Sequence, residues 1–185
     1  MRSDWFTADL HLGHRRILDY THRPFTSIPE MDEGLIERWN GVVKPTDTVW
    51  VLGDFTFHPM ARALPIFHRL NGTKHLIEGN HDNRKGRQGL PWASSAKMAE
   101  WKHPNGLLGS PRLVMCHYPL LTWRNAHHGM WMLHGHCHNN LRAPETTRMD
   151  VGVDCHPEFR PFHLDEIVAI LSQRTYHFLD HHQEG

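Results

Sequence analysis

Asn80-His81-Asp82 sets an amide, an imidazole and a carboxylate side by side, directly after the apolar Leu76-Ile77 and the turn-forming Glu78-Gly79. An amide can ligate a metal, an imidazole can move a proton near neutral pH, and a carboxylate can orient it. Four further segments share the pattern of an apolar run that stops at His or Asp. They are Trp5-Phe6-Thr7-Ala8 before Asp9-Leu10-His11, Val49 to Leu52 before Gly53-Asp54, Leu113 to Cys116 before His117, and Met130 to Leu133 before His134-Gly135-His136-Cys137-His138. Asp9 and His11 stand two apart, so an extended backbone puts both on one face, where they can share a metal. Asp54 after a glycine turn is suited to bridge two ions. Carboxylate, imidazole and amide without a required thiolate suit a divalent pair such as Mn, Fe or Zn. Two such ions about 3.5–4 Å apart can hold a phosphoryl oxygen and convert water to hydroxide near neutral pH. The residue types therefore imply a two-metal centre that hydrolyses phosphate esters.

Competing chemistries fit less well. Structural zinc sites close four ligands, usually with paired cysteines, and the chain has no Cys-x-x-Cys among its 3 cysteines. No Gly-x-Ser-x-Gly elbow supports serine hydrolysis. Cys137, lying between two candidate ligands on an extended segment, is expected to point away from them, and Cys116 and Cys155 read as small buried hydrophobes.

The elements that must position these groups follow from periodicity. The apolar runs above are short and rich in β-formers, which predicts strands. Helical spacing is expected from His14 to Tyr20, from Pro29 to Asn40-Gly41 with Met31, Leu35, Ile36 and Trp39 inward, over residues 60–70, and from His163 to Leu171. Glu30, Asp32 and Glu33 suit the first turns of the second of these helices. Arg148 to Asp154 alternates like a later strand, residues 88–111 carry little signal, and 172–185 suggest an edge strand from Thr175 to Leu179 with a polar tail. The whole of 1–185 reads as one domain of α/β (α+β) class, long enough to bury a sizeable core. In open α/β sheets ligands bind beyond the carboxyl ends of strands, and all five motif-bearing runs end there.

Charge and composition narrow the partners. Lys+Arg 20 balance Asp+Glu 20, so no global field favours tracking along an extended nucleic acid. Arg15, Arg16, Arg84, Lys85 and Arg87 leave a short oligonucleotide end open, and Arg84 stands between phosphate contact and a solvated basic face. No apolar run is long enough for a bilayer, Met1-Arg2-Ser3-Asp4 does not read as a signal peptide, and an odd cysteine count argues against a disulfide framework. A cytoplasmic protein is expected. His58, His68, His75, His127, His128, His134, His156, His163 and His177 read as surface or hydrogen-bonded core groups, with the pocket rim as the alternative for His127-His128.

The order Asp-x-His, Gly-Asp, Gly-Asn-His-Asp, His, Gly-His-x-His resembles the calcineurin-like metallophosphoesterase superfamily over residues 9–138. The stretches Phe6 to His14, Arg23-Pro24-Phe25 and Met31-Asp32-Glu33 are similar to a group of small bacterial and phage-associated phosphoesterases within it. The resemblance implies a four-layer α-β-β-α sandwich of two packed mixed sheets. It implies Asp9, His11 and His138 on one metal, Asn80, His117 and His136 on the other, and Asp54 bridging. His81 would be the catalytic histidine, oriented by Asp82, with a dimetal-bridged hydroxide as nucleophile. His14, Arg23 and Arg84 are the expected substrate contacts, Arg23 dividing between that role and structural pairing. Manganese is the favoured metal, with iron or zinc as alternatives. A phosphodiesterase on small or nucleotide-like esters comes first, ahead of a phosphomonoesterase or protein phosphatase and of a nuclease on short ends. A non-catalytic scaffold fits poorly, because His81 and every ligand position are filled.

Overall fold

The computed structural model describes residues 2–82, 89–103, 111–141 and 146–175. Arg84 and nearly all of the expected Thr175–Leu179 strand lie outside these residues. Strands β1 (Asp4–Thr7), β2 (Thr48–Val51) and β3 (Thr73–Ile77) pair in parallel in chain order, and β4 (Ser94–Ala96) continues the parallel set beyond β3. Parallel neighbours require crossover connections. Helix α1 (Ile17–Thr21) and α2 (Ile28–Val42) lie between β1 and β2, and α3 (Met60–Arg69) lies between β2 and β3. A second sheet follows in the order β5 (Met98–Lys102), β6 (Arg112–Cys116), β7 (Trp131–His134) and β8 (Arg148–Asp150), with β5 antiparallel and the others parallel. The chain then returns to the first sheet as β9 (Phe162–His163), antiparallel to β1, and continues into α4 (Leu164–Leu171).

Strand alternation sorts the core into layers. Val49, Val51 and Leu76 face outward from the first sheet and meet Met31, Leu35, Ile36 and Trp39 of α2 with Ala63, Ile66 and Phe67 of α3. Their neighbours Phe6, Leu52 and Ile77 face inward and pack with Leu113, Met115, Leu133 and Met149 of the second sheet, and Ile167 and Leu171 of α4 enter this middle layer. On the far face of the second sheet, Val114 and Met132 are covered by Trp123, Ala126 and Met130 from the segment around a 3₁₀ turn, Ala126–His128. The result is an α/β fold of two packed mixed sheets. Among the described residues no helix is long and apolar enough to cross a membrane.

Local chemistry explains most element ends. Ser27 caps α2 by accepting the N–H of Glu30, and Pro29 sits in the first turn, where it lacks only an N–H that needs no partner. Helix α1 begins three residues later than periodicity predicts, because the N–H of His14 turns back to the carbonyl of His11 at 2.9 Å. The alternating stretch at 148–154 divides into β8 and a 3₁₀ turn, Val153–Cys155, and the weak region after residue 88 yields β4 and β5.

Candidate active site

The carboxyl ends of β1, β2 and β3 lie together in one sheet, those of β6 and β7 in the other, and the loops beyond them meet. Backbone bonds fix the first contact: Asp9 N–H donates to the carbonyl of Gly53 and His11 N–H to that of Asp54, both at 3.0 Å. Asp9, His11, Asp54, His136 and His138 all adopt left-handed backbone, with φ of 57°, 50°, 56°, 71° and 47°. Such conformations in residues other than glycine cost energy and gather at functional sites. Gly53 (φ +92°) and Gly79 make the close passage possible: a Cβ on Gly53 would lie 2.7 Å from the Gly79 Cα.

Asp54 occupies the centre. Its Oδ2 lies 3.5 Å from His11 Nε2, 3.6 Å from His117 Nε2 and 3.9 Å from His81 Nε2, while its Oδ1 accepts the His81 backbone N–H at 2.9 Å. Nδ1 of His117 lies 2.7 Å from the Leu52 carbonyl. A neutral ring donating there turns the Nε2 lone pair toward Asn80 Oδ1, 3.0 Å away. His136 Nδ1 approaches the same amide oxygen at 3.1 Å. Asp9 Oδ1 and His11 Nε2, 3.9 Å apart, are buried with no hydrogen-bond partner among the described residues. Native interiors satisfy such atoms, so a converging set of orphaned lone pairs is what a cation would complete. Ligand atoms of Asp9, His11 and His138 lie within 4.8 Å of one another, as do those of Asp9, Asp54 and His117.

Electrostatics agrees with that geometry. Burial, reinforced by Asp150 and Asp54, raises the carboxyl pKa of Asp9 well above its ordinary value, and burial holds His11 far below the usual imidazole range. The Asp9 shift describes a carboxylate enclosed without sufficient positive charge, and the His11 shift a ring that burial and neighbouring cationic groups keep neutral and so able to ligate. The floor of the site (Asp9, His11, Asp54, His117) is buried, whereas Asn80, His81, His136 and His138 retain solvent access. A ligand must therefore arrive over the histidine rim.

Supporting groups complete the arrangement. His138 Nδ1 meets Asp154 Oδ2 at 2.7 Å, which leaves Nε2 toward Asp9 and His11. His14 stacks on Phe57 with centroids 4.0 Å apart and places its Nδ1 3.2 Å from His11 Nδ1, at the site edge. Phe57 also packs against His81 at 4.7 Å.

The structure bears on two sequence assignments. Arg23, expected either to contact substrate or to pair structurally, is buried beneath the site: Nε and Nη2 donate to Asp154 at 2.7 and 2.8 Å, and Nη1 and Nη2 donate to the carbonyls of Leu10 and Asp9. Its guanidinium fork is consumed by these acceptors, so Arg23 supports the loop that carries Asp9 and His11. Asp82, expected to orient His81, instead accepts backbone N–H groups from Asp54, Phe55 and Gly79. Burial raises the Asp82 pKa, and these three bonds counter that rise. Cys137 points to His134 and Asp150, away from the centre as predicted, although the segment is a turn with left-handed backbone at His136 and His138 and not the extended run expected. Arg84 lies outside the described residues.

The sequence reading missed Asp154, although it closes the stretch expected as a later strand, a position comparable to that of Asp54 after the Val49 to Leu52 run. It also missed Asp32, whose buried carboxylate accepts the Gly13 N–H at 3.0 Å and meets His58 Nε2 at 2.6 Å, clamping the turn between His11 and His14.

No family model matches the chain. An uncharacterized protein, MJ1445, of Methanocaldococcus jannaschii is 29% identical over 181 residues, covering 94% of this chain and 93% of its own. The Gene 66 protein of Mycobacterium phage L5 is 29% identical over 182 residues, covering 83% and 87%. Among solved structures, a protein of unknown function from Aquifex aeolicus, AQ665, superposes with a TM-score of 0.70 at 22% identity over 92% of this chain and 100% of its own. This likeness establishes the fold. A phosphoesterase from E. coli aligns with a TM-score of 0.41 at 17% identity over 82% of this chain and 78% of its own, too loosely to add to it.

Proposed function

We propose that this protein is a metal-dependent phosphoesterase of the calcineurin-like type, acting on small or nucleotide-like phosphodiesters. The observation that carries the reading is the convergence on Asp54 Oδ2 of ring nitrogens from His11, His117 and His81, at 3.5, 3.6 and 3.9 Å. Asp9, His11, His138 and Asp54 would hold one divalent ion, and Asp54, Asn80, His117 and His136 a second. Bound there, the ions would supply Lewis acidity toward a phosphoryl oxygen and a hydroxide nucleophile near neutral pH. The oxygen and nitrogen donors favour manganese, with iron or zinc as alternatives.

The chain's own groups account for the rest. His81 lies on the rim with its backbone N–H tied to Asp54 Oδ1, which holds the ring over the centre. From there a protonated Nε2 can donate to the leaving oxygen, and Phe57 limits the ring's rotation. His14 is placed to meet a phosphate oxygen from the side of His11. Exposed Arg15 and Arg16 add positive charge near the same turn, enough for a short anionic ester without a surface for strand tracking.

Hydrolysis of bis-p-nitrophenyl phosphate and p-nitrophenyl phosphate by manganese-reconstituted protein tests the proposal, with His81→Ala and Asp54→Ala in parallel. Diester turnover that is lost in both variants is the expected result. Preference for the monoester would shift the assignment to a phosphatase. Absence of turnover on either ester with both ions bound would remove general phosphoesterase activity and favour a scaffold.

A further inference from the structure

A second donor cluster lies behind the loop that carries His136 and His138. His134 ends β7, Asp150 ends the neighbouring β8, and the two are partners in the parallel register, so their side chains leave the sheet on one face. Cys137 lies between His136 and His138 and turns to that side. One ligand atom from each of His134, Cys137 and Asp150 falls within 4.8 Å of the others.

We propose that His134, Cys137 and Asp150 form a separate zinc-binding site that braces the loop bearing the outer histidines of the Asp54 centre. The donor set selects the metal: a thiolate with an imidazole and a carboxylate suits zinc, whereas the thiolate-free set around Asp54 suits harder ions. Two of the three donors, His134 and Asp150, are held from behind. His134 Nδ1 lies 2.8 Å from the Gly135 carbonyl, and a ring donating there keeps a lone pair on Nε2. Asp150 Oδ1 accepts the Gly152 N–H at 2.8 Å and Oδ2 the Asn139 N–H at 3.4 Å. Three protein ligands leave one coordination position, and a cavity of about 350 Å³ bordered by His134, Asp150 and Cys155 lies beside them to supply it with solvent.

The loop supplies a reason for such a brace. His136, His138 and Asn139 have φ of 71°, 47° and 64°, a strained run that persists only where its surroundings over-determine it. Ligation of His134 before the run, Cys137 within it and Asp150 beyond it would fix this path and preset both imidazoles. The proposal does not depend on the chemistry assigned to the Asp54 centre, which contains no sulfur.

Cobalt(II) added to chelator-stripped protein reports on this site alone, because thiolate ligation produces a sulfur-to-cobalt charge-transfer band that nitrogen and oxygen ligands cannot. The band is expected in the wild type and in Cys116→Ser, with the amplitude of one thiolate-bound cobalt per chain once the Asp54 centre is also filled, and bleached by zinc. Cys137→Ser should abolish it, and Asp150→Asn should weaken cobalt binding by more than the about 10–100-fold typical of losing an outer partner. No band in the wild type at saturating cobalt, or a band that survives Cys137→Ser, overturns the proposal. Alkylation of the wild type gives a check independent of variant folding, since Cys137 is partly accessible. Zinc should slow Cys137 labelling located by mass spectrometry, and equal labelling with and without zinc overturns the site.

Discussion

Asp82 Oδ2 accepts the backbone N–H of Asp54 at 2.8 Å, so the carboxylate that follows His81 in sequence fixes the central candidate ligand rather than the imidazole beside it. The same oxygen takes the Gly79 N–H at 2.8 Å and Oδ1 takes that of Phe55 at 3.1 Å. One buried side chain thereby ties the loop after β2 to the loop after β3. Asp82→Asn turns an amide NH₂ toward a backbone donor and leaves at least one buried N–H without an acceptor. A loss of about 2–3 kcal/mol is expected, read as a lowered urea midpoint at unchanged slope, together with reduced turnover. A variant of full stability that loses only kcat would return Asp82 to the task of orienting His81.

Arg23 and Asp154 make the corresponding connection across 131 residues. Burial opposes ionisation of Asp154, but hydrogen bonds from His138 and Arg23 outweigh it and hold the carboxyl below its ordinary range. Arg23→Met would strand that charge, and the expected cost is about 3–5 kcal/mol. Arg23→Lys should recover little of it, because an ammonium cannot serve Asp154 and the carbonyls of Asp9 and Leu10 in the same fork geometry. Denaturation should register both changes. A raised KM with stability intact would show Arg23 reaching substrate after all.

The pattern of what the sequence discloses follows from the range of the interactions. Trp5 to Ala8, Val49 to Leu52 and Leu113 to Cys116 are legible because alternation between two buried layers forces apolar residues at every position. The motif histidines and aspartates are legible because they interrupt those runs. Asp32 is not: a carboxylate in a helix's first turns has a sufficient local reading, and only the fold brings Gly13 and His58 to it. The left-handed backbones of Asp9, His11 and Asp54 are equally silent, since no glycine marks them and bonds between distant loops impose them. Strands β4 and β5 are short and largely exposed, and pairing with β3 and β6, rather than their own composition, makes them strands.

Gly79 separates site geometry from general stability. A Cβ there would run into Asp54 Oδ1 and come within 2.8 Å of the Asp54 nitrogen and 3.0 Å of His117 Cε1. Gly79→Ala must displace Asp54, and a displacement near 1 Å is expected to lower turnover by about 10²-fold. Gly41 in α2 is the contrast, because nothing lies within 4 Å of the position its Cβ would occupy. Gly41→Ala should leave turnover unchanged and add about 0.5–1 kcal/mol through helix propensity. Kinetics and melting of the two variants side by side check both expectations, and equal turnover would show that Asp54 position is not limiting.

Glu166 of α4 supplies a pH dependence outside the candidate site. Burial works against its ionisation, but Arg160 donates to both of its oxygens at 3.0 and 2.7 Å and the His163 N–H donates at 2.7 Å. The balance lowers its pKa from 4.5 to about 2. A depressed carboxyl stabilises the fold fully above its unfolded value and loses that contribution as pH falls from 4.5 through about 2. Glu166→Gln should therefore be less stable than the wild type by a constant amount near neutral pH, and the gap should close on acidification below 4.5. The side chain is 34% exposed, so the gap will also narrow with added salt. Urea midpoints of both proteins from neutral pH to about pH 3 measure the gap across the onset of that window. A gap that holds constant to the acid end would mean that Glu166 acts through its hydrogen bond to His163 at the start of α4, which glutamine can still accept in part, and not through its charge.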